Sequence, residues 1–96
     1  MQFLVIARDG TDADALDRRM KVREAHLEGA KKMHACGEMI NGGALLDEDG
    51  KMIGSCCMVE FPSREELDAW LSRDPYVTGN VWQEIEVHPF RVAPLS

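Results

Sequence analysis

Apolar residues run through Phe3-Leu4-Val5-Ile6-Ala7 without a polar break. Both faces of this stretch are apolar, which predicts a first strand over residues 2–8, central in a sheet and covered on both sides. Asp9-Gly10 then marks a turn, and Thr11 with Asp14 forms a weak capping box. From about residue 12 to residue 36 the period changes to that of a helix, at about 100° per residue. Leu16, Met20, Val22, Leu27, Ala30 and Met33 share one broad arc. Lys21, Glu24, Glu28, Lys31 and Lys32 share the opposite one. Gly37 is a natural C-cap. Residues 38–46 read as a second strand interrupted at Gly42-Gly43, as glycines at a bulge or a close approach would be. Asp47-Glu48-Asp49-Gly50 supplies a hairpin turn. Residues 52–61 form a third strand, with Cys57, Val59 and Phe61 on one face and Cys56, Met58 and Glu60 on the other.

Ser63 and Glu66 make a full capping box for a short second helix, whose core positions are Leu67, Trp70 and Leu71. Pro75 ends that helix at Asp74, because the residue before proline avoids helical angles. Residues 76–80 read as a loop. Residues 81–92 read as the last strand, with Val81, Ile85 and Val87 on one face and Trp82, Glu84 and Glu86 on the other. Pro89 marks this strand as an edge or a bulge. The order β-α-β-β-α-β is the α+β, ferredoxin-like split βαβ plan: an antiparallel sheet with two helices on one face. Strands 1 and 3 carry apolar residues on both faces. The far face of the sheet is therefore expected to pack on a second copy, giving a homodimer or higher homo-oligomer.

Three residues break the pattern of the long helix. Arg19, Arg23 and His26 project from its apolar arc rather than from its polar side. An unpaired buried charge is costly, so each needs a partner. Asp74 is the candidate. At the C-terminal end of the second helix a carboxylate meets the negative end of the macrodipole, and it is better tolerated with a cation opposite. Both helices cover one sheet face, so Arg23, His26 and Asp74 are expected to converge. A His–Asp pair can orient an imidazole and leave its other nitrogen free to move a proton. A nearby arginine can hold a carboxylate. The same pair would also serve as a purely structural bond between helices, and spacing alone leaves both readings open. Arg8 and Arg19 are further candidates for anion binding, and Tyr76 for a hydrogen bond into the pocket.

Composition narrows the classes. Ninety-six residues are expected to form one domain over 1–96. A net charge of −6 excludes a surface built for nucleic acid or an anionic membrane. No apolar run approaches the roughly 18 residues of a membrane span, and no signal-peptide pattern opens the chain, so cytoplasmic residence is the expectation. Three cysteines, Cys36, Cys56 and Cys57, are an odd count that speaks against a disulfide framework. Cys56 and Cys57 should point to opposite faces of a strand as small apolar residues. No Cys/His set has zinc spacing, and Gly42-Gly43 is no phosphate loop, so neither a metal nor a cofactor is expected. His34 fits a dipole or core role near the helix end, and His88 a half-exposed edge position.

Several motifs together carry a resemblance. They are residues 19–27 (Arg-Met-Lys-Val-Arg-Glu-Ala-His-Leu), Gly42-Gly43, Asp74-Pro75-Tyr76-Val77 and Val87-His88-Pro89-Phe90. In order and spacing they resemble the YCII-related family of small bacterial proteins, which adopt a dimeric α+β barrel variant of the ferredoxin-like fold. Glu24 and Ala44 stand where many members have proline. The resemblance implies a His–Asp pair in a pocket, here His26 and Asp74, as a general acid/base site. It also implies a distant relation to muconolactone isomerase and chloromuconolactone dehalogenase, which act on small anionic lactones without metal or organic cofactor. The expectation is a cofactor-independent enzyme that eliminates or isomerises a small anionic compound. The alternative is a non-catalytic dimeric module that binds a small anion in the same pocket.

Overall fold

The computed structural model describes residues 1–95; Ser96, the last residue of the expected 1–96 domain, lies outside the described residues. The elements run β1 (Gln2–Asp9), α1 (Ala15–Ala35), β2 (Met39–Leu46), β3 (Met52–Glu60), α2 (Arg64–Arg73), α3 (Pro75–Thr78) and β4 (Trp82–Phe90). The strands lie in the order β2-β3-β1-β4 and every neighbouring pair is antiparallel. This is the ferredoxin-like α+β plan, with β1 central as its two apolar faces require. β4, which carries Pro89, is an edge strand.

Alternation sorts the sheet into two faces. Phe3, Val5 and Ala7 of β1 and Cys57 and Val59 of β3 join Met33 of α1, Leu67 and Trp70 of α2 and Tyr76 of α3 in one buried cluster. The larger aliphatic and aromatic side chains among them, such as Phe3, Val5 and Leu67, each contribute about 1.5–3 kcal/mol on burial. On the opposite face Leu4, Ile6 and Met58 remain half-buried in the single chain. Cys56 and Cys57 do face opposite ways, half-buried and buried. Ser63 caps α2 by accepting from the Glu66 N–H at 3.3 Å, and Gly37, with φ of 87°, terminates α1.

Four details differ from the sequence expectation. Helix α1 starts at Ala15, and the capping position is Asp14, not Thr11, with no side-chain bond. Arg18 organises the approach instead, gripping Asp12 through both terminal nitrogens and donating to the Asn80 carbonyl. Met20 is 50% exposed, because the inward stripe of α1 runs through Arg19 and Met33 rather than through Met20. The predicted loop at 76–80 contains a helical turn, α3, since Pro75 is pre-set for a first helical position and Asp74 caps it. Trp82 is buried rather than grouped with the exposed Glu84 and Glu86. The register slips there: Arg8 faces Glu84, but Asp9 faces Trp82, so Gln83 is an extra residue. That bulge turns the Trp82 indole toward the helices.

Gly42 marks a close approach. A Cβ there would lie 2.9 Å from the Cys57 Cβ, whereas Gly43 has open space. The bulge in β2 falls earlier, between Met39 and Asn41. After it, Gly42 and Ala44 stand opposite Cys57 and Ser55 on the helix side, without long side chains. Helix α1 thus spans a stretch of sheet with almost nothing rising from β2, and a cavity forms between them.

Candidate active site

The cavity measures about 320 Å³ and is lined by α1, β2, β3, α3 and the start of β4. Its polar side chains are Arg19, Arg23, His26, Ser55 and Tyr76; Trp82, Leu27 and Met39 supply apolar wall. Its size suits a small organic molecule.

His26 and Asp74 meet on this wall. Nδ1 of His26 lies 2.9 Å from Oδ1 of Asp74. The same Oδ1 accepts the Tyr76 backbone N–H at 2.9 Å. An ionised carboxylate can only accept, and beside it Nδ1 of His26 carries the proton and donates it. In the neutral ring Nε2 then holds a free lone pair, and it has no hydrogen-bond partner among the described residues. The ring is clamped as well as tethered. It stacks on Tyr76 with centroids 3.9 Å apart and meets Trp82 edge-on at 5.6 Å. Asp74 is therefore more than the end of α2. It is also the N-cap of α3, and the bond it accepts from the Tyr76 N–H orients the carboxylate.

A second assembly lies one helical stretch away. Arg19 donates from Nη1 to both carboxylate oxygens of Asp9, at 3.0 and 3.1 Å, and from Nη2 to Ser55 Oγ at 2.9 Å. The Arg19 and Asp9 side chains are each only 3% exposed, so the pair is closed to solvent. The guanidinium lies 4.5 Å from the centroid of the Tyr76 ring, whose face offers some compensation for its unpartnered Nε–H. Trp82 Nε1 also donates to Ser55 Oγ, at 3.2 Å. Burial raises the Tyr76 phenol above its ordinary value, with Arg19 and Arg23 pulling the other way, so it stays protonated. Burial also pushes the Cys57 thiol, on the cavity lining, up to about 12.

The residues expected at the site fall into three groups. His26, Asp74 and Tyr76 come together, and Arg23 joins them on the cavity lining with no hydrogen bond or ion pair among the described residues. Arg19 also reaches the lining, but its terminal nitrogens are engaged by Asp9 and Ser55. Arg8 is exposed and is not part of the lining; it shares the open sheet face with Leu4 and Ile6 by strand alternation. Sequence reasoning missed Asp9, Ser55 and Trp82. The first two were accessible by counting in twos, since Asp9 continues the Phe3-Val5-Ala7 face and Ser55 the Cys57-Val59 face. Trp82 was hidden by its bulge. His34, outside the site, bonds the Met39 carbonyl at 2.9 Å and ties the end of α1 to β2.

The layered sheet, the strand order and the helices on one face define a ferredoxin-like α+β protein with a cavity between α1 and β2. The chain belongs to the YCII-related family: the model of the YCII-related domain matches residues 1–91. It is 33% identical over 97 residues to "Protein YciI" of Escherichia coli O6:H1, covering 95% of this chain and 97% of that one. Among solved structures it resembles 5-chloro-2-hydroxyhydroquinone dehydrochlorinase (TftG) from Burkholderia phenoliruptrix AC1100, solved with 2,5-dihydroxybenzoquinone. The TM-score is 0.83 at 23% identity, over 97% of this chain and 96% of that one. A dimeric ferredoxin-like protein of unknown function from Jannaschia sp. CCS1 matches with a TM-score of 0.54 at 17% identity, over 95% and 98% of the two chains. No helix among the described residues is long and apolar enough to cross a membrane.

Proposed function

We propose that this chain is a cofactor-independent acid/base enzyme acting on a small anionic ring compound. The observation that carries the reading is the His26–Asp74 bond at 2.9 Å on the wall of a cavity, which leaves Nε2 unpaired. Nε2 takes a proton from a substrate carbon. In an elimination, the C–H electron pair becomes the new double bond as the leaving group departs with its own pair. In an isomerisation, the proton returns at a different carbon. Asp74 stabilises the imidazolium formed in between. Arg23, a cation without a carboxylate partner among the described residues, holds the negative charge of the substrate. The dehydrochlorinase with the similar fold supports elimination from a small oxygenated ring as the reaction class.

The half-buried Leu4, Ile6 and Met58 support a homodimer formed through the open sheet face, as does the dimeric protein of similar fold. The working unit is then two copies of one YCII-related domain, residing in the cytoplasm.

The test is a turnover screen against small lactones and halogenated hydroxyhydroquinones, with 2,5-dihydroxybenzoquinone as a coloured probe of occupancy. Wild type should turn over at least one compound, and His26→Ala should lose that turnover while still binding the probe. Arg23, without a partner among the described residues, also favours a second reading, a non-catalytic binder of small anions. Probe binding with no turnover of any compound would select it.

A further inference from the structure

Ser55 is fully committed as an acceptor and uncommitted as a donor. Its Oγ accepts from Arg19 Nη2 at 2.9 Å and from Trp82 Nε1 at 3.2 Å. Neither guanidinium nor indole N–H can accept a hydrogen bond. A hydroxyl oxygen has two lone pairs and one hydrogen, so both lone pairs are occupied. The hydroxyl hydrogen takes the one direction left, and no acceptor among the described residues receives it. Ser55 is 7% exposed, and it lines the cavity that holds His26 and Arg23.

We propose that Ser55 is the cavity's fixed hydrogen-bond donor, aimed at an acceptor oxygen on the ligand: a ring carbonyl, an enolate or a phenolate. The two donors behind Oγ fix the direction of the O–H. The Arg19 charge polarises it, which strengthens the bond it makes. The arrangement also carries a selection rule. A ligand that presents an ammonium or amide N–H at this point meets a hydroxyl with no lone pair to offer and is rejected, whereas one that presents an acceptor oxygen is retained. Ser55 is correspondingly not a nucleophile, since its lone pairs point at Arg19 and Trp82. The placement of the ligand rests on the proposed reading of the cavity as a substrate site; the direction of the hydroxyl rests on the protein alone.

Two measurements test this. Neutron diffraction on the free, deuterium-exchanged protein should show the Ser55 deuterium pointing into the cavity. A deuterium directed at a protein acceptor overturns the proposal whatever the cavity binds. In the second, carbon-13-labelled 2,5-dihydroxybenzoquinone is bound to wild type and to Ser55→Ala, and the carbonyl stretch is followed by difference infrared spectroscopy. A carbonyl that accepts the hydroxyl should absorb at lower frequency in wild type and move up in the variant, with affinity falling about tenfold. Should the variant not fold, Ser55→Thr, which keeps the hydroxyl, must retain the wild-type frequency. Bound quinone with the same carbonyl frequency in wild type and Ser55→Ala overturns the donor role and leaves the acid/base reading intact. Turnover without any sensitivity to His26→Ala has the opposite consequence.

Discussion

Helix α1 turns two cationic positions toward the sheet, and they have opposite fates. Arg19 ends in a closed assembly with Asp9, Ser55 and Trp82, and both members of the ion pair are 3% exposed. Arg23, one turn on, faces the cavity and has no carboxylate partner among the described residues. His26, on the same stripe, is tied at one nitrogen and free at the other. The same helix face thus carries a buried ion pair that holds α1 to β1 and β3, and a cation and an imidazole that face a ligand-sized space. A buried, paired charge mainly fixes geometry; an unpaired one in a cavity can do chemistry.

The largest expected effect lies on the closed side. Asp9→Ala leaves the Arg19 charge buried without its carboxylate, which should cost about 3–5 kcal/mol in urea unfolding. Replacing both partners by apolar residues, Asp9→Leu with Arg19→Met, should recover most of that loss. If Asp9→Ala were as stable as wild type, the closed assembly would not be the structural half of the comparison.

Next comes the bond that joins the two halves. Asp74→Ala removes the His26 acceptor and the α3 cap together, and should cost about 1–3 kcal/mol. Asp74→Asn keeps a capping side chain, so its stability cost should be less than that of Asp74→Ala. It should still reduce turnover strongly, because a neutral amide cannot stabilise the imidazolium. Thermal melts beside turnover separate the two roles: an Asn variant that is both stable and fully active would make the pair structural only.

Arg23→Gln should leave stability within about 0.5 kcal/mol, since Arg23 has no hydrogen bond or ion pair among the described residues. Affinity for an anionic probe should fall about tenfold, and should fall less for a neutral one. Equal losses for both probes would remove Arg23 as the anion holder.

Much of this was legible in the sequence, and the misreadings have physical causes. The convergence of His26 and Asp74 followed from helical period, from Pro75 as a stop and from two helices sharing one sheet face. The context of Asp74 did not, because a single residue closes α2 and caps α3, and only the second role explains a carboxylate there. Arg8 was grouped with the site by its charge, although alternation places it opposite Asp9, on the other sheet face. The Trp82 indole was assigned to the wrong face because strict alternation cannot foresee one extra residue, Gln83, in the β1–β4 register. Ser55 carried a readable parity but no charge or motif to draw notice. Its importance lies in what its neighbours can donate, and that is visible only in three dimensions.

The smallest effect concerns a residue that lines the cavity yet belongs to the closed side. Cys57 stands against Gly42, whose absent side chain lets the strands approach, and burial holds its thiol up at about 12 against an ordinary value of 9.0. The folded state therefore favours the neutral thiol. Its contribution to stability is fully present below about pH 9, where the unfolded thiol is also protonated. It is lost as pH rises from 9 toward 12, because only the unfolded chain gains by ionising. Within the assayable range, stability should be flat up to pH 9 and then decline slightly, and Cys57→Ser should weaken that decline. Reactivity should follow the same division. At pH 9 a thiol-directed alkylating agent should modify the exposed Cys36, leaving Cys57 unmodified in the folded protein. Prompt labelling of Cys57 at that pH would mean that the cavity floor opens to solvent, and the boundary between the closed and open halves of the molecule would have to move.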